Sequence, residues 1–227
     1  MNEGPRSRIR LRFARLAPAK DLSHLEQLKL LRGRAAASGL RFCPAKAGGA
    51  MAPRMAFGPA VSQGHESLCE YADLYLEDFV RAQEAADRFR PLDDERFRLV
   101  SAGRIPVFFP SIEAAANAAE FSVEADFPAG FSQAAVDAFM AKDGVPYEKV
   151  KPSGERRTVD ARTPVLSASY DVSASRLELT LKLEPGRSIR PETVAELMAG
   201  PAPAFRRIVR KELYWVDSGG KLEIFQV

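Results

Sequence analysis

The chain has 227 residues, 46% of them hydrophobic and 28% charged, and a formal net charge of +3, a profile that excludes a disordered or fibrous chain and supplies enough Leu, Val, Phe and Ala for a core. No apolar run approaches the roughly 20 residues of a membrane span, and the opening "MNEGPRSRIRLRF" lacks the apolar stretch of a secretory signal, so a cytoplasmic protein is expected. With only Cys43 and Cys69, a disulfide framework is excluded, and both read as buried thiols.

Taken in chain order, "RIRLRF" (8 to 13) alternates Arg8, Arg10 and Arg12 with Ile9, Leu11 and Phe13, the period of a strand with one buried and one wet face. After Pro18 and the candidate caps Asp21 and Ser23, Leu22, Leu25, Leu28 and Leu31 recur at three-residue steps, predicting a helix that Gly39 stops. "PRMAFGPAV" (53 to 61) predicts a short strand, and "EYADLYLEDF" (70 to 79) a longer one with Tyr71, Asp73, Tyr75 and Glu77 on one side. "VRAQEAADRFRP" predicts a second helix ending at Pro91, and "FRLVSAGRIPV" the strand after it. The order is β-α-β-β-α-β, a ferredoxin-like arrangement whose helices share one face of an antiparallel sheet.

The pattern then repeats. "AEFSVEADF" (119 to 127) predicts a strand, "SQAAVDAFMAKDG" (132 to 144) a capped helix, and "YEKVKPSGERRTVDARTPV" two strand-like pieces about a Ser-Gly turn. "SRLELTLKLEP" (175 to 185) alternates most clearly, "RPETVAELMAG" (190 to 200) predicts a helix begun by proline and ended by glycine, and "FRRIVRKELYWV" predicts a closing strand. The expectation is α+β: two ferredoxin-like (βαββαβ) units, residues 1–110 and 111–227, joined around "IPVFFPSIEAAANA".

Charge is distributed unevenly along this order. Residues 1–60 hold twelve Lys and Arg against Glu3, Asp21 and Glu26, whereas residues 61–95 hold ten acids against three Arg. Either the first segment meets an acidic or polyanionic partner, or the two segments neutralise each other within the fold. If the helices cover the opposite side, Arg8, Arg10 and Arg12 project from an exposed sheet face, where guanidinium groups can track phosphates and stack on bases. No Lys/Arg-Gly-Phe signature of base readout accompanies them.

Several stretches carry a family resemblance. "RIRLRFARLAPAKDLSHLEQLKLLRGRAAASGLRF", "MAFGPAV", "GHESLCEYADLYL", "VDARTPVLSASY" and "LEPGRSIRPETVAELM" resemble, in order and over nearly the whole chain, the uncharacterised bacterial radical SAM-linked proteins. Ser23, His24 and Leu25 match that family's Ser-His-Leu signature, Phe57, Gly58 and Pro59 its Phe-Gly/Ala-Pro segment, and Gly64, Glu66, Glu70 and Tyr71 its Gly-x-Glu-Ser-x-x-Glu-Tyr segment. Where the family commonly reads Ser-x-Gly-Phe-Asn-Pro-His-Pro-Lys, this chain has Lys46 through Arg54 without the Asn or the His. The resemblance implies an accessory protein to a radical SAM enzyme, handling RNA or another acidic substrate, with no reaction assigned to the domain itself.

Contact with such a substrate is expected from Arg8, Arg10, Arg12, Lys20, His24, Lys46, Arg54 and Glu66. "KAGGAMAPRM" lacks the spacing of a Walker loop and reads instead as a basic loop at the end of the sheet. His24, Cys43, His65 and Cys69 show no paired close spacing, so no metal site is expected, and the absence of a Cys-x3-Cys-x2-Cys triplet excludes a radical SAM cluster held by this chain; no cofactor is expected. Two alternatives stand beside the RNA reading. One is a protein–protein adaptor that docks through the 46–54 loop and the strand around Tyr71 and Tyr75. The other is a small enzyme using His24 and Glu66 as an acid–base pair, although no Gly-x-Ser-x-Gly elbow or triad spacing is present.

Overall fold

The structure is a computed structural model that describes residues 4–47, 50–150, 154–184, 188–200, 203–217 and 222–224. It is mixed α+β with mostly antiparallel sheets and, among the described residues, five α-helices. The chain divides into two compact units, residues 1–116 with 223–227, and residues 117–222.

In the first unit the alternation of Ile9, Leu11 and Phe13 with arginines produces strand β1 (Ser7–Arg15). Helix α1 (His24–Ala37) starts in a capping box: the Ser23 hydroxyl accepts from the Glu26 N–H at 3.3 Å, and the Glu26 carboxylate accepts from the Ser23 N–H at 2.7 Å. It ends ahead of Gly39, whose φ of 72° is the left-handed conformation that stops a helix cheaply only as glycine. The buried side of α1 is Gln27, Leu31 and Ala35, not the leucines at three-residue steps, and Leu25 is 77% exposed. A step of three residues turns a helix by only 300°, so such a series drifts around the axis, whereas steps of four keep Gln27, Leu31 and Ala35 close to one line.

Among the described residues, strands β2 (Pro44–Ala47) and β3 (Ala50–Pro53) pair only with each other, with Lys46 opposite Met51. The stretch expected to be a loop is therefore a hairpin, and Gly48 and Gly49 at its tip lie outside the described residues. Then come β4 (Met55–Phe57), β5 (Glu66–Leu76), α2 (Ala82–Phe89), β6 (Phe97–Ile105) and the short α3 (Ile112–Ala115). Strand β5 begins four residues before the stretch whose alternation announced it. The strands run β4-β5-β1-β6, every neighbour antiparallel. Ile9, Leu11 and Phe13 of β1, Ala72, Leu74 and Leu76 of β5, and Phe97 and Leu99 of β6 form one core with Leu31 and Ala35 of α1 and Ala85, Ala86 and Phe89 of α2.

In the second unit β7 (Ala118–Asp126) is followed by α4 (Gln133–Met140), β8 (Pro146–Val150), β9 (Arg156–Asp160), β10 (Val165–Asp171), β11 (Arg176–Lys182), α5 (Pro191–Ala199) and β12 (Ala204–Val216). A last strand, β13, spans Leu222–Ile224. Helix α5 has Pro191 in its first turn and Gly200, with φ 81°, just past its end. The strands run β10-β11-β7-β12, again antiparallel throughout. Among the described residues, the two pieces about the Ser-Gly turn, β8 and β9, pair only with each other, and the outer strand of this sheet is β10, which the sequence reading did not separate. Phe121, Val123, Leu177, Leu179 and Leu181 of the strands are buried, as are Val136 and Phe139 of α4 and Val194 and Ala195 of α5. No helix among the described residues is long and apolar enough to cross a membrane.

Candidate functional site

Antiparallel pairing sets Arg10 directly opposite Asp73, and Arg8 directly opposite Tyr75. The strand face expected to be open is closed: Arg8 is 1% exposed, Arg10 6% and Asp73 0%. Arg10 grips the Asp73 carboxylate with Nε at 2.8 Å and Nη2 at 3.0 Å, and Arg8 Nη2 reaches the same carboxylate at 2.6 Å. Arg8 Nη1 also donates to the carbonyls of Val107 at 3.4 Å and Phe109, and Nη2 to that of Pro110 at 2.8 Å, so the segment after β6 folds over its guanidinium, while the buried Arg8 Nε has no hydrogen-bond partner among the described residues. These two arginines are structural; a buried charge is tolerated only when paired and hydrogen-bonded, and here it is both. Arg12 is half-buried, donating from Nε to the Leu68 carbonyl at 2.9 Å with its guanidinium 5.8 Å from the Tyr71 ring centre.

The basic segment and the acidic one meet repeatedly. Besides the Asp73 set, Arg34 pairs with Asp94 at 2.7 Å and Asp93 at 3.8 Å, and Arg41 with Glu77 at 3.1 Å and Asp78 at 3.4 Å. Asp94 is also held by the N–H groups of Arg96 at 2.8 Å and Phe97 at 2.9 Å. Burial alone would raise its pKa, but those N–H groups and the Arg96 and Arg34 guanidiniums hold it well below the usual carboxylate range. Arg15, 1% exposed, is spent on carbonyls of Ala19, Lys20 and Leu22 and on the Gln27 side chain at 2.7 Å, and Gln27 in turn donates to Glu70.

Lys20, His24 and Glu66 belong to two loops that touch. The Gly64 N–H donates to the Lys20 carbonyl at 2.7 Å and Gln63 Nε2 to the Asp21 carbonyl at 3.1 Å. Lys20 is exposed; His24, the first residue of α1, and Glu66, the first of β5, are half-buried. Among the described residues no hydrogen bond or ion pair joins His24 to Glu66. Cys43 and Cys69 are buried and form no disulfide. Burial and the charge of Glu77 push the Cys43 thiol up against the opposing pull of Arg54, away from a reactive thiolate.

Two arginines that stack on aromatic rings flank β4, and a third, Arg104, lies 4.5 Å from the centre of the Phe79 ring. Arg54, immediately before this strand, is exposed and lies 4.4 Å from the centre of the Tyr75 ring. Phe57, its last residue, carries the Arg32 guanidinium of α1 at 5.0 Å. Met55 and Phe57 pack toward the helix-side core while Tyr75 shares the other face with Arg8, so the two stacks straddle the strand. Neither arginine has an acidic partner among the described residues, and an aromatic face holds a guanidinium without neutralising it. Lys46 sits in β2 nearby in sequence, and its side chain lies outside the described part of the structure. The sequence reading found Arg54 but missed Arg32 and Phe57. The signal was a phenylalanine in a three-residue strand and an arginine on a helix, which become neighbours only through the crossover. An aromatic-backed pair of unneutralised guanidiniums is suited to phosphates or carboxylates, and it offers no nucleophile or general base.

No curated protein matches the chain. The model of the family described as "Uncharacterized protein conserved in bacteria (DUF2344)" matches residues 8–191, well over half of the chain, and the protein belongs to that family.

Proposed function

We propose that the chain is a binding module that presents RNA to a radical SAM enzyme in the cytoplasm, with its contact surface at the β4 edge of the first unit. The radical SAM partner is what the sequence resemblance implies. The observation that carries the binding role is the pair of guanidiniums, Arg32 on Phe57 and Arg54 on Tyr75, left without acidic partners while Arg8, Arg10, Arg34 and Arg41 are neutralised. We read each unit as a ferredoxin-like βαββαβ fold, with the chain parted near residue 110. The strand orders β4-β5-β1-β6 and β10-β11-β7-β12 support this reading, each unit carrying one extra hairpin between its first helix and its second sheet strand.

The test is retention of labelled rRNA fragments by the purified full chain at rising salt. The expected result is affinity that falls steeply with ionic strength, as phosphate contacts release counterions. Arg32→Glu with Arg54→Glu should lower both the affinity and the salt slope, the latter by about 2 if each arginine meets one phosphate. Salt-independent retention, or a double variant that binds as tightly as the parent, would end the proposal.

The adaptor reading moves with the geometry. Tyr71 is 2% exposed, whereas Phe108 is 86% exposed on a segment whose backbone is pinned by Arg8. If a protein docks here, Phe108→Ser should abolish recovery of a radical SAM partner from nuclease-treated lysate and leave RNA retention unchanged.

A further inference from the structure

The second unit holds a cavity of about 370 Å³ that lies between hairpin β8–β9 and the end of β11, lined among others by Arg157, Val159, Asp160, Thr163, Lys182 and Glu184. That volume falls within the range of small-molecule sites. The hairpin pairs with no other strand among the described residues, so its two faces can be compared directly. On one face Arg156 and Glu148 form an ion pair at 3.2 Å. On the other, the register sets Lys149 directly opposite Arg157, next to the Tyr147–Val159 pair. Like charges directly opposite one another in a strand pair are destabilising. Lys149 is drawn off toward the Ser188 carbonyl at 3.3 Å, but Arg157 has no acidic partner among the described residues, and neither has Lys182.

Of the two acids in the lining, Asp160 is committed elsewhere. The Asp160 carboxylate accepts the N–H groups of Val145 at 2.8 Å, Arg162 at 3.0 Å and Thr163 at 3.0 Å, and the Thr163 hydroxyl. Desolvation acts to raise its pKa, and the Thr163 hydroxyl with these three N–H groups overcomes that and holds it well below the usual carboxylate range. Asp160 thereby fixes the base of the hairpin as a turn anchor. Arg162 fixes the opposite wall, donating to the carbonyls of Met140 at 2.9 Å and Val165 at 2.8 Å. The cavity is thus framed by backbone anchors, with Arg157 and Lys182 in its lining and two exposed carboxylates, Asp160, held by its turn, and Glu184 at the rim.

We infer that this cavity binds a phosphorylated small molecule, its phosphate held between Arg157 and Lys182. A guanidinium and an ammonium suit the oxygens of a phosphate monoester, and the volume leaves room for an organic group beyond it. The site lies wholly in the second unit and is independent of the β4 edge, so Arg32→Glu with Arg54→Glu should leave it intact.

Calorimetric titration of the full chain with adenosine monophosphate, inorganic phosphate and acetate tests the assignment. Adenosine monophosphate should bind most tightly, inorganic phosphate more weakly, and acetate not measurably. Arg157→Gln with Lys182→Gln should weaken the nucleotide at least tenfold, while Arg156→Gln, on the other hairpin face, should leave it unchanged. Without ligand, Arg157→Gln should melt no lower than the parent, because it removes a like-charge contact, and this separates lost binding from lost folding. Acetate binding as tightly as phosphate, equal losses in Arg156→Gln and the double variant, or no heat with any probe at millimolar concentration would each overturn the site.

Discussion

Asp73 is the residue whose change should be felt most. Its carboxylate is fully buried and is the counter-charge for two buried guanidiniums at 2.6 to 3.0 Å. Asp73→Asn keeps the shape and removes the charge, and taking one member from a buried ion set costs about 3–5 kcal/mol because the other charge is left uncompensated. Unfolding entropy near 2.1 cal/mol/K per residue gives about 0.25 kcal/mol/K for the 121 residues of the first unit, so the melting temperature should drop by about 12–20 °C. Thermal unfolding followed by circular dichroism reads this directly. Replacing the set as a whole, Arg8→Met with Arg10→Met and Asp73→Leu, should recover much of the loss, since apolar residues of similar volume often substitute for a buried ion set without penalty. Full recovery is not expected, because Arg8 also satisfies the carbonyls of Val107, Phe109 and Pro110, and orphaned buried acceptors cost about 1–3 kcal/mol. A drop below about 4 °C for Asp73→Asn, equivalent to about 1 kcal/mol, would refute the view that these arginines are structural and return them to the list of contact residues.

Two further outcomes follow from local geometry. Because the folded state depresses the pKa of Asp94, its stabilisation is fully present above the unfolded value of about 3.9 and is lost as pH falls through the lower folded value. Asp94→Asn should therefore be less stable at pH 7 and show a flatter decline below about pH 4, and unchanged curvature in melts from pH 2 to 7 would count against it. Ser23→Ala removes the acceptor for the Glu26 N–H and should cost about 1 kcal/mol, whereas Ser23→Asp should retain most of the cap; urea titration distinguishes the two.

The strands with long alternation were legible because burial on one face writes a period of two into the sequence. Ile9–Leu11–Phe13 and Leu177–Leu179–Leu181 are both fully or almost fully buried where the alternation places them. The α1 leucines misled, since helix packing selects residues four apart and admitted the polar Gln27, whose amide has partners in Arg15 and Glu70. The hairpin β2–β3 was not legible because Ala, Pro and Gly carry little periodicity, and its strands pair with nothing that would demand one. At the candidate site, local composition announced a basic face but not its neutralisation. That depends on Asp73, 63 residues from Arg10 in sequence and opposite it in register. Arg32 on Phe57 escaped for the same reason, since neither residue predicts the other until the helix crosses back over the sheet.

The first strands of the two units show why charge count alone could not locate the site. Strand β1 carries arginines on the face opposite its core face, and β7 carries Glu120 and Glu124 in the corresponding positions. In the first unit a single buried aspartate closes the account for two arginines, and the desolvated ions lock the strand in place. In the second unit Lys211 bridges Glu120 at 3.0 Å and Glu178 at 3.5 Å, and Tyr214 donates to Glu120 at 2.6 Å, with the charged side chains a quarter to two-fifths exposed. Water competes for exposed pairs of this kind, and each contributes at most about 1 kcal/mol. Identical strand placement thus yields a rigid ionic core in one unit and an exchangeable surface network in the other. The difference lies in what covers the face, a property of the assembled fold that no run of charged residues in the sequence encodes. The proposed contacts Arg32, Arg54, Arg157 and Lys182 rest on the same distinction: the fold supports each on one side, by an aromatic ring or by its strand, and none has an acidic partner among the described residues, a situation that Arg104 shares over the Phe79 ring at 4.5 Å.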